Sequence, residues 1–421
     1  MISTLRNTLP SHPLFHILQS PELELLVCCS RTQLTATQIE RVQTLVQEDL
    51  NWQYLVEVAT KHCVLPLLAR HLKAIASISL PAAVQQKLQQ TFRTNLEHNL
   101  VLTAELIKLV TLFESQSLAV LSFKGPILAQ VAYGHLGLRQ FLDLDILVPE
   151  EQAVQAIQLL IEQNYEPQFD LTRSQQETYV KLRNELSFWH SEKQIAVDLH
   201  WEILLRYYSF SPTPDMVWSR CDRVPLAGNA IPTLSRENLL LFLCAHGAKH
   251  GWSRLYWICD IAELIKHSPN LNWQIVQSQV GQFGTQRMLF LGLYLAHHLF
   301  DTELPPEIEQ KLALQPELWL IWQQIQGQLW KANKDSNDFK FDQRIYFKTL
   351  ESWKDKVWYW LDTIMTPTPL EWKIILLPQR LFFLYYPIRL LRLAWKYIVV
   401  LNYLQGWRVE RGSKLSFHNH K

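Results

Sequence analysis

One stretch constrains the fold of this chain more than any other: FLDLDILV, residues 141–148. Phe141, Leu142, Leu144, Ile146, Leu147 and Val148 ask for a buried strand, yet Asp143 and Asp145 interrupt the run two residues apart. Strand side chains alternate between faces, so both carboxylates point the same way. Two like charges on one apolar face repel each other and lose hydration. A strand of this kind belongs at a site where metal ions neutralise the pair.

The neighbouring segments place that strand in a small α/β unit. LAVLSFKG (118–125) reads as a short strand ending in a Gly turn, and PILAQVAYG as a short helix with Pro126 in its first turn. PEEQAVQAIQLLIEQN (149–164) is a helix that opens with Pro149 and two glutamates near its positive end. NELSFWH and QIAVDLHW follow as a hairpin. The remainder has helical periodicity, and few glycines (12) with many tryptophans (16) agree with long helices. The expected class is α+β, a mixed-sheet core at 117–225 flanked by an N-terminal helical region, 1–116, and a helical domain, 226–345. KANKDSNDFKFDQR (331–344) reads as a polar loop or linker, and 346–421 as a basic, aromatic helical tail.

A pair of strand carboxylates behind a Gly turn suits two-metal phosphoryl transfer. Two Mg²⁺ ions, roughly 3.5–4 Å apart, need hard oxygen ligands while they clamp an in-line displacement. A third carboxylate from another strand completes such a site. QIAVDLHW supplies Asp198, alone among apolar residues, with His200 on the same face.

The order Lys124-Gly125, Tyr133, Arg139, Asp143, Asp145, then Val197-Asp198-Leu199-His200-Trp201, resembles the uncharacterised nucleotidyltransferase family of bacteria, within the polymerase-β-like nucleotidyltransferase superfamily. The blocks at 51–68 and 246–265 resemble the same family, so the likeness spans roughly 50–300. It implies an NTP donor, Mg²⁺ (two ions, or Mn²⁺ in its place), an acceptor hydroxyl that the sequence does not identify, and pyrophosphate as leaving group. It implies that Asp143, Asp145 and Asp198 ligate the metals, Asp198 also serving as general base. Gly125 would let backbone approach the triphosphate, and Lys124 and Arg139 would meet phosphate oxygens. The chain departs from the wider superfamily in that Gly125 is followed by Pro126, with no Ser hydroxyl, and lies far from Asp143.

Other groups admit two readings. His246 and His250 share a helix face but lack the Glu of H-E-x-x-H. With Lys249 they either face a cleft and bind phosphate or acceptor, or they pack a Trp-rich helix pair. With Asp260 they form the weaker alternative of a phosphohydrolase site. The tail has twelve Lys/Arg against five Asp/Glu, and Arg389, Arg392 and Lys396 recur on one helical face. That pattern suits either a solvated face or peripheral membrane contact through 370–405, the latter underlying the alternative of a non-catalytic scaffold. The net charge of +1 gives no nucleic-acid signal. Six cysteines without a C-x-x-C pair, in apolar contexts, read as buried thiols. With no basic-then-apolar leader and no run of about 18 apolar residues, a cytoplasmic location is expected.

Overall fold

The computed structural model describes residues 20–75, 80–204, 213–330, 339–375, 377 and 379–396. The N-terminal residues read above for a leader, part of the expected linker (331–338) and the tail beyond 396 lie outside the described residues. The chain divides into two compact units, 1–168 with 184–353, and 169–183 with 354–421.

The larger unit begins with helices α1 (Pro21–Cys29), α2 (Ala36–Leu45), α3 (Trp52–Lys61), α4 (Leu65–Ile75) and α5 (Ala82–Ser115). Their starts are encoded locally: Thr35 and Gln38 form a capping box, and Asn51 Oδ1 accepts from Tyr54 N. In α5 the buried residues Leu88, Asn95, Asn99, Leu102, Leu106, Leu109 and Phe113 recur at three, four or seven, giving one long inward stripe.

The α/β core follows as β1 (Leu121–Ser122), α6 (Gly125–Tyr133), β2 (Asp143–Leu147), α7 (Ala153–Glu162) and β3 (Glu166–Pro167). After α8 (Arg173–Leu182), which belongs to the smaller unit, come β4 (Glu185–His190) and β5 (Ile195–His200). The sheet order is β1-β2-β5-β4-β3. β2 and β5 run parallel and every other pair is antiparallel, so the sheet is mixed as expected. A short helix, α9 (Pro214–Trp218), leads to a separate hairpin, β6 (Cys221–Leu226) and β7 (Asn229–Leu234), that the hydrophobic pattern does not announce. Its strands carry Pro225 and Pro232, residues that argue against a strand, and β7 buries its last four residues in succession rather than alternating.

Helices then return as α10 (Arg236–Lys249), α11 (Leu255–Lys266), α12 (Trp273–Phe283), α13 (Gln286–Phe300), α14 (Pro306–Ala313), α15 (Glu317–Leu329) and α16 (Phe339–Thr349). Residues 339–344, expected in a loop, are the start of α16. α10 is buried along nearly its whole length. A Cβ on Gly247 would lie 2.4 Å from the Trp252 ring, so only glycine lets that indole close against α10.

The smaller unit contains α8, α17 (Trp353–Met365) from its second residue, α18 (Pro369–Ile374) and helical residues 385–396. Glu371, fully buried, accepts from Thr368 N and Oγ1 at 2.6 Å and is bonded by Arg392. Arg389 donates to the carbonyls of Thr363 and Ile364. Two of the three cations expected on one exposed face therefore turn inward, and the large apolar side chains exposed in that segment are Tyr386, Leu390, Leu391 and Trp395. No helix among the described residues is long and apolar enough to cross a membrane. All six cysteines are free, but the expectation of burial fails at Cys221, which is exposed, and Cys63 is only half-buried.

Candidate active site

Strand register assembles the polar groups. Asp145 on β2 pairs with Asp198 on β5, which pairs with Ser187 on β4, and His200 pairs with Glu185. Paired strand residues share a face. One face of the three central strands thus carries Asp143, Asp145, Asp198, His200, Ser187 and Glu185. The three aspartates are the ones singled out in the sequence. Glu185 is an addition: it sits in the unremarkable run Asn184-Glu185-Leu186-Ser187, and only its register against His200 gives it away.

Asp145 lies at the centre of this face. Lys124 Nζ is 2.5 Å from its Oδ1, and His200 Nε2 is 3.2 Å from the same atom. His200 Nδ1 lies 3.2 Å from Glu185 Oε2. The second oxygen, Asp145 Oδ2, is buried and has no hydrogen-bond partner among the described residues. Burial drives the Asp145 pKa up, but Lys124 and His200 outweigh it and hold the carboxyl down at about 2. Asp143, half-buried at the start of β2, is pushed up to about 6 by burial and by the charge of Asp145. Burial and Asp145 also raise Asp198. Burial alone would lower the His200 pKa, but the Asp145 and Glu185 carboxylates raise it to about 9, so the ring is an imidazolium at neutral pH. Three aspartates on one face are thus graded by their neighbours.

The turn that delivers Lys124 is built on Gly125. Its φ is +48°, and a Cβ there would come 3.3 Å from the Asp143 carbonyl oxygen. Glycine is required both for the left-handed backbone and for the close approach to β2. Lys124 Nζ also sits over the Phe242 ring, 5.4 Å from its centroid, a cation–π contact.

Arg139, expected beside phosphate, has another partner. Its Nε and Nη2 donate to Asp260 Oδ1 and Oδ2 at 2.8 and 2.9 Å, and Tyr133 Oη donates to Oδ1 at 2.7 Å. Asn99 Nδ2 holds the Leu136 and Arg139 carbonyls at 2.6 and 2.8 Å, tying the turn before β2 to α5. Arg139 and Asp260 are both buried, so this bidentate pair fixes the wall between α6 and α11. The Arg139–Asp260 contact spans 121 residues and has no local sequence signal.

The opposite wall comes from the end of α10. His246 and His250 have ring centroids 4.6 Å apart, and His250 stacks on Trp257 at 5.1 Å and 24°. Burial, then Lys249, lowers the His250 pKa to about 3, and burial lowers that of Lys249. Lys124, Gly125, Arg139, Asp143, Asp145, Asp198, Lys249 and His250 all line one pocket of about 530 Å³. The two histidines pack on Trp257 and also line the pocket.

Among the described residues, the group whose ligand atoms could share a cation is Asp145, Asp198 and His200, within 4.8 Å of one another. The free buried oxygen of Asp145 and the carboxylate of Asp198 are hard donors, so the residues fit a divalent metal. The His246/His250 pair is not part of such a group.

Residues 48–301 match the family model described as an uncharacterised nucleotidyltransferase. No curated protein matches the sequence significantly. Among solved structures, the antibiotic-resistance factor ANT(2'')-Ia is similar with a TM-score of 0.31 and 11% identity, over 48% of this chain and 98% of that one. An antigenic nucleotidyltransferase-like protein from Paracoccidioides brasiliensis is similar with a TM-score of 0.30 and 13% identity, over 48% of this chain and 93% of that one.

Proposed function

Because the chain belongs to the uncharacterised nucleotidyltransferase family, an enzyme class that moves nucleoside monophosphate groups, we propose that it transfers NMP from an NTP to an acceptor hydroxyl in a Mg²⁺-dependent reaction. The observation that carries this reading is Asp145: among the described residues its buried Oδ2 has no hydrogen-bond partner, while its Oδ1 meets Lys124, and the carboxylate groups with Asp198 and His200.

In this reading Asp143, Asp145 and Asp198 hold two Mg²⁺ ions. Mn²⁺, which takes the same hard oxygen donors, would serve in place of Mg²⁺ there. Bound there, the metal supplies Lewis-acid neutralisation of phosphate charge and a lowered pKa for the acceptor hydroxyl. Asp198 accepts the acceptor's proton. The acceptor oxygen bonds to the α-phosphorus as the bond to pyrophosphate breaks. Lys124, seated on Phe242 next to Asp145, meets the phosphates, and Gly125 keeps a side chain out of their path. Lys249 and His250 bind the nucleotide from the α10 side, where the His250–Trp257 stack offers a flat face to a base. Arg139, held by Asp260, shapes the wall and adds positive potential.

The test is calorimetric titration of the wild-type chain with each of the four NTPs in the presence of Mg²⁺, repeated on Asp143→Asn/Asp145→Asn. One NTP is expected to bind only with metal, and the double substitution to abolish it. Absence of saturable binding of any NTP to the wild type would overturn the proposal.

A further inference from the structure

A second cavity, at about 860 Å³ larger than the carboxylate pocket, opens among α4, α5 and the segments that follow α6 and α11. It is lined by Arg70 and Lys73 one helical turn apart on α4, Arg93 on α5, and His135 and His267. Among the described residues, no Asp or Glu lines it. Arg93 is paired with Glu97 at 2.8 Å, and His267 Nδ1 lies 3.6 Å from Glu263 Oε2. Among the described residues, neither Arg70 nor Lys73 has a carboxylate partner. Phe92 and His135, with ring centroids 6.4 Å apart and planes inclined by 35°, form an aromatic flank.

The volume suits a small molecule, since such sites run at about 300–1,000 Å³. Two cations without acids to answer them favour an anion, and a guanidinium meets phosphate or carboxylate through a two-pronged fork. Tyr133 lines this cavity and its hydroxyl reaches Asp260, which lines the carboxylate pocket, so a buried wall separates the two. We propose that this cavity binds an anionic small molecule, one carrying phosphate or carboxylate groups on a planar body, at a site distinct from that for the NTP. Arg70 and Lys73 hold the charge, and Phe92 with His135 flanks the body.

The experiment uses the full chain without divalent metal, titrated calorimetrically with inorganic pyrophosphate and, separately, with citrate. Saturable binding of at least one probe is expected, and the probe preferred names phosphate or carboxylate as the recognised group. Arg70→Gln/Lys73→Gln, both on exposed side chains, should weaken that binding by roughly tenfold or more, as expected for two charge-assisted bonds. Lys124→Gln, in the other pocket, should leave it within a factor of about two, as expected for independent sites. Unchanged affinity in the Arg70/Lys73 variant, loss of binding in Lys124→Gln alone, or no saturable binding of either probe would each overturn the proposal. Because the titration contains no NTP and no metal, its failure is separate from failure of the transferase reading.

Discussion

Asp145 shows what single residues reveal before and after folding. An aspartate alone in a run of Leu and Ile is conspicuous in the sequence because nothing nearby can offset its burial, and Asp143 and Asp198 stand out for the same reason. Glu185 does not stand out, because its neighbours Asn184 and Ser187 make the stretch look like ordinary solvated polarity. Its position depends on the β4–β5 register, which brings it opposite His200. That contact gives Glu185 a testable role: it steadies the imidazole that bonds Asp145. Partners that orient a metal-binding group typically change metal affinity by about 10–100-fold when lost. Glu185→Gln is therefore expected to weaken Mn²⁺ binding, followed by electron paramagnetic resonance, by roughly tenfold. Asp145→Asn should remove it. Equal Mn²⁺ affinity in wild type and Glu185→Gln would assign Glu185 no part in the site.

At the level of elements, the strand, the Gly turn and the helices on either side of them are legible because each has its own signal: alternation, a positive-φ residue, and Pro in a first turn. The parallel pairing of β2 with β5 has no such signal, since it is decided by packing across a long crossover, and β6–β7 is hidden by its prolines. The Gly125 turn is where sequence and packing meet. Two glycines flank α6 with positive φ, Gly125 at +48° and Gly134 at +65°, but nothing lies within 4 Å of a Cβ at Gly134. Gly134→Ala should cost only the left-handed backbone strain, about 1–2 kcal/mol. Gly125→Ala carries that strain and in addition pushes on the Asp143 carbonyl, so the turn must leave β2. Its cost should exceed that of Gly134→Ala by about 1 kcal/mol or more, and it should also abolish NTP binding. Urea denaturation of the two variants, with NTP titration, compares them. Equal losses of stability, with NTP binding intact in both, would mean that the close contact between the turn and β2 is dispensable.

Long-range contacts set the behaviour of the whole molecule, and they were the least legible part of the sequence. The smaller unit joins 169–183 to residues beyond 353, a pairing that no periodicity could announce. Within the larger unit, His62 at the end of α3 is fully buried, accepts through Nδ1 from Leu255 N at 3.1 Å, and meets the Trp330 ring edge-on at 5.5 Å. It ties the N-terminal helices to α11 and to the end of α15 across about 190 to 270 residues of chain. Burial, then Lys61, lowers its pKa from an ordinary 6.5 to about 3. Above pH 6.5 the ring is neutral in both folded and unfolded chains and contributes no pH dependence. Below it, the unfolded chain takes up the proton and the folded chain does not, so stability falls as the pH drops from 6.5 toward 3. At pH 5.5 the loss from this one residue should be about 1.4 kcal/mol. A proton on Nδ1 would also set a donor against the Leu255 N–H, so the bond between the helices cannot survive protonation. His62→Gln keeps an acceptor for that N–H but does not titrate. Chemical denaturation at pH 7.5 and 5.5 should show a smaller acid-induced loss in the variant than in the wild type, even if the variant is less stable at both. Parallel losses in the two proteins would move the acid sensitivity of the larger unit away from the α3–α11 contact and onto its other buried histidines, of which His71, bonded to the Arg31 carbonyl at 2.7 Å and also lowered by burial, is the next to test.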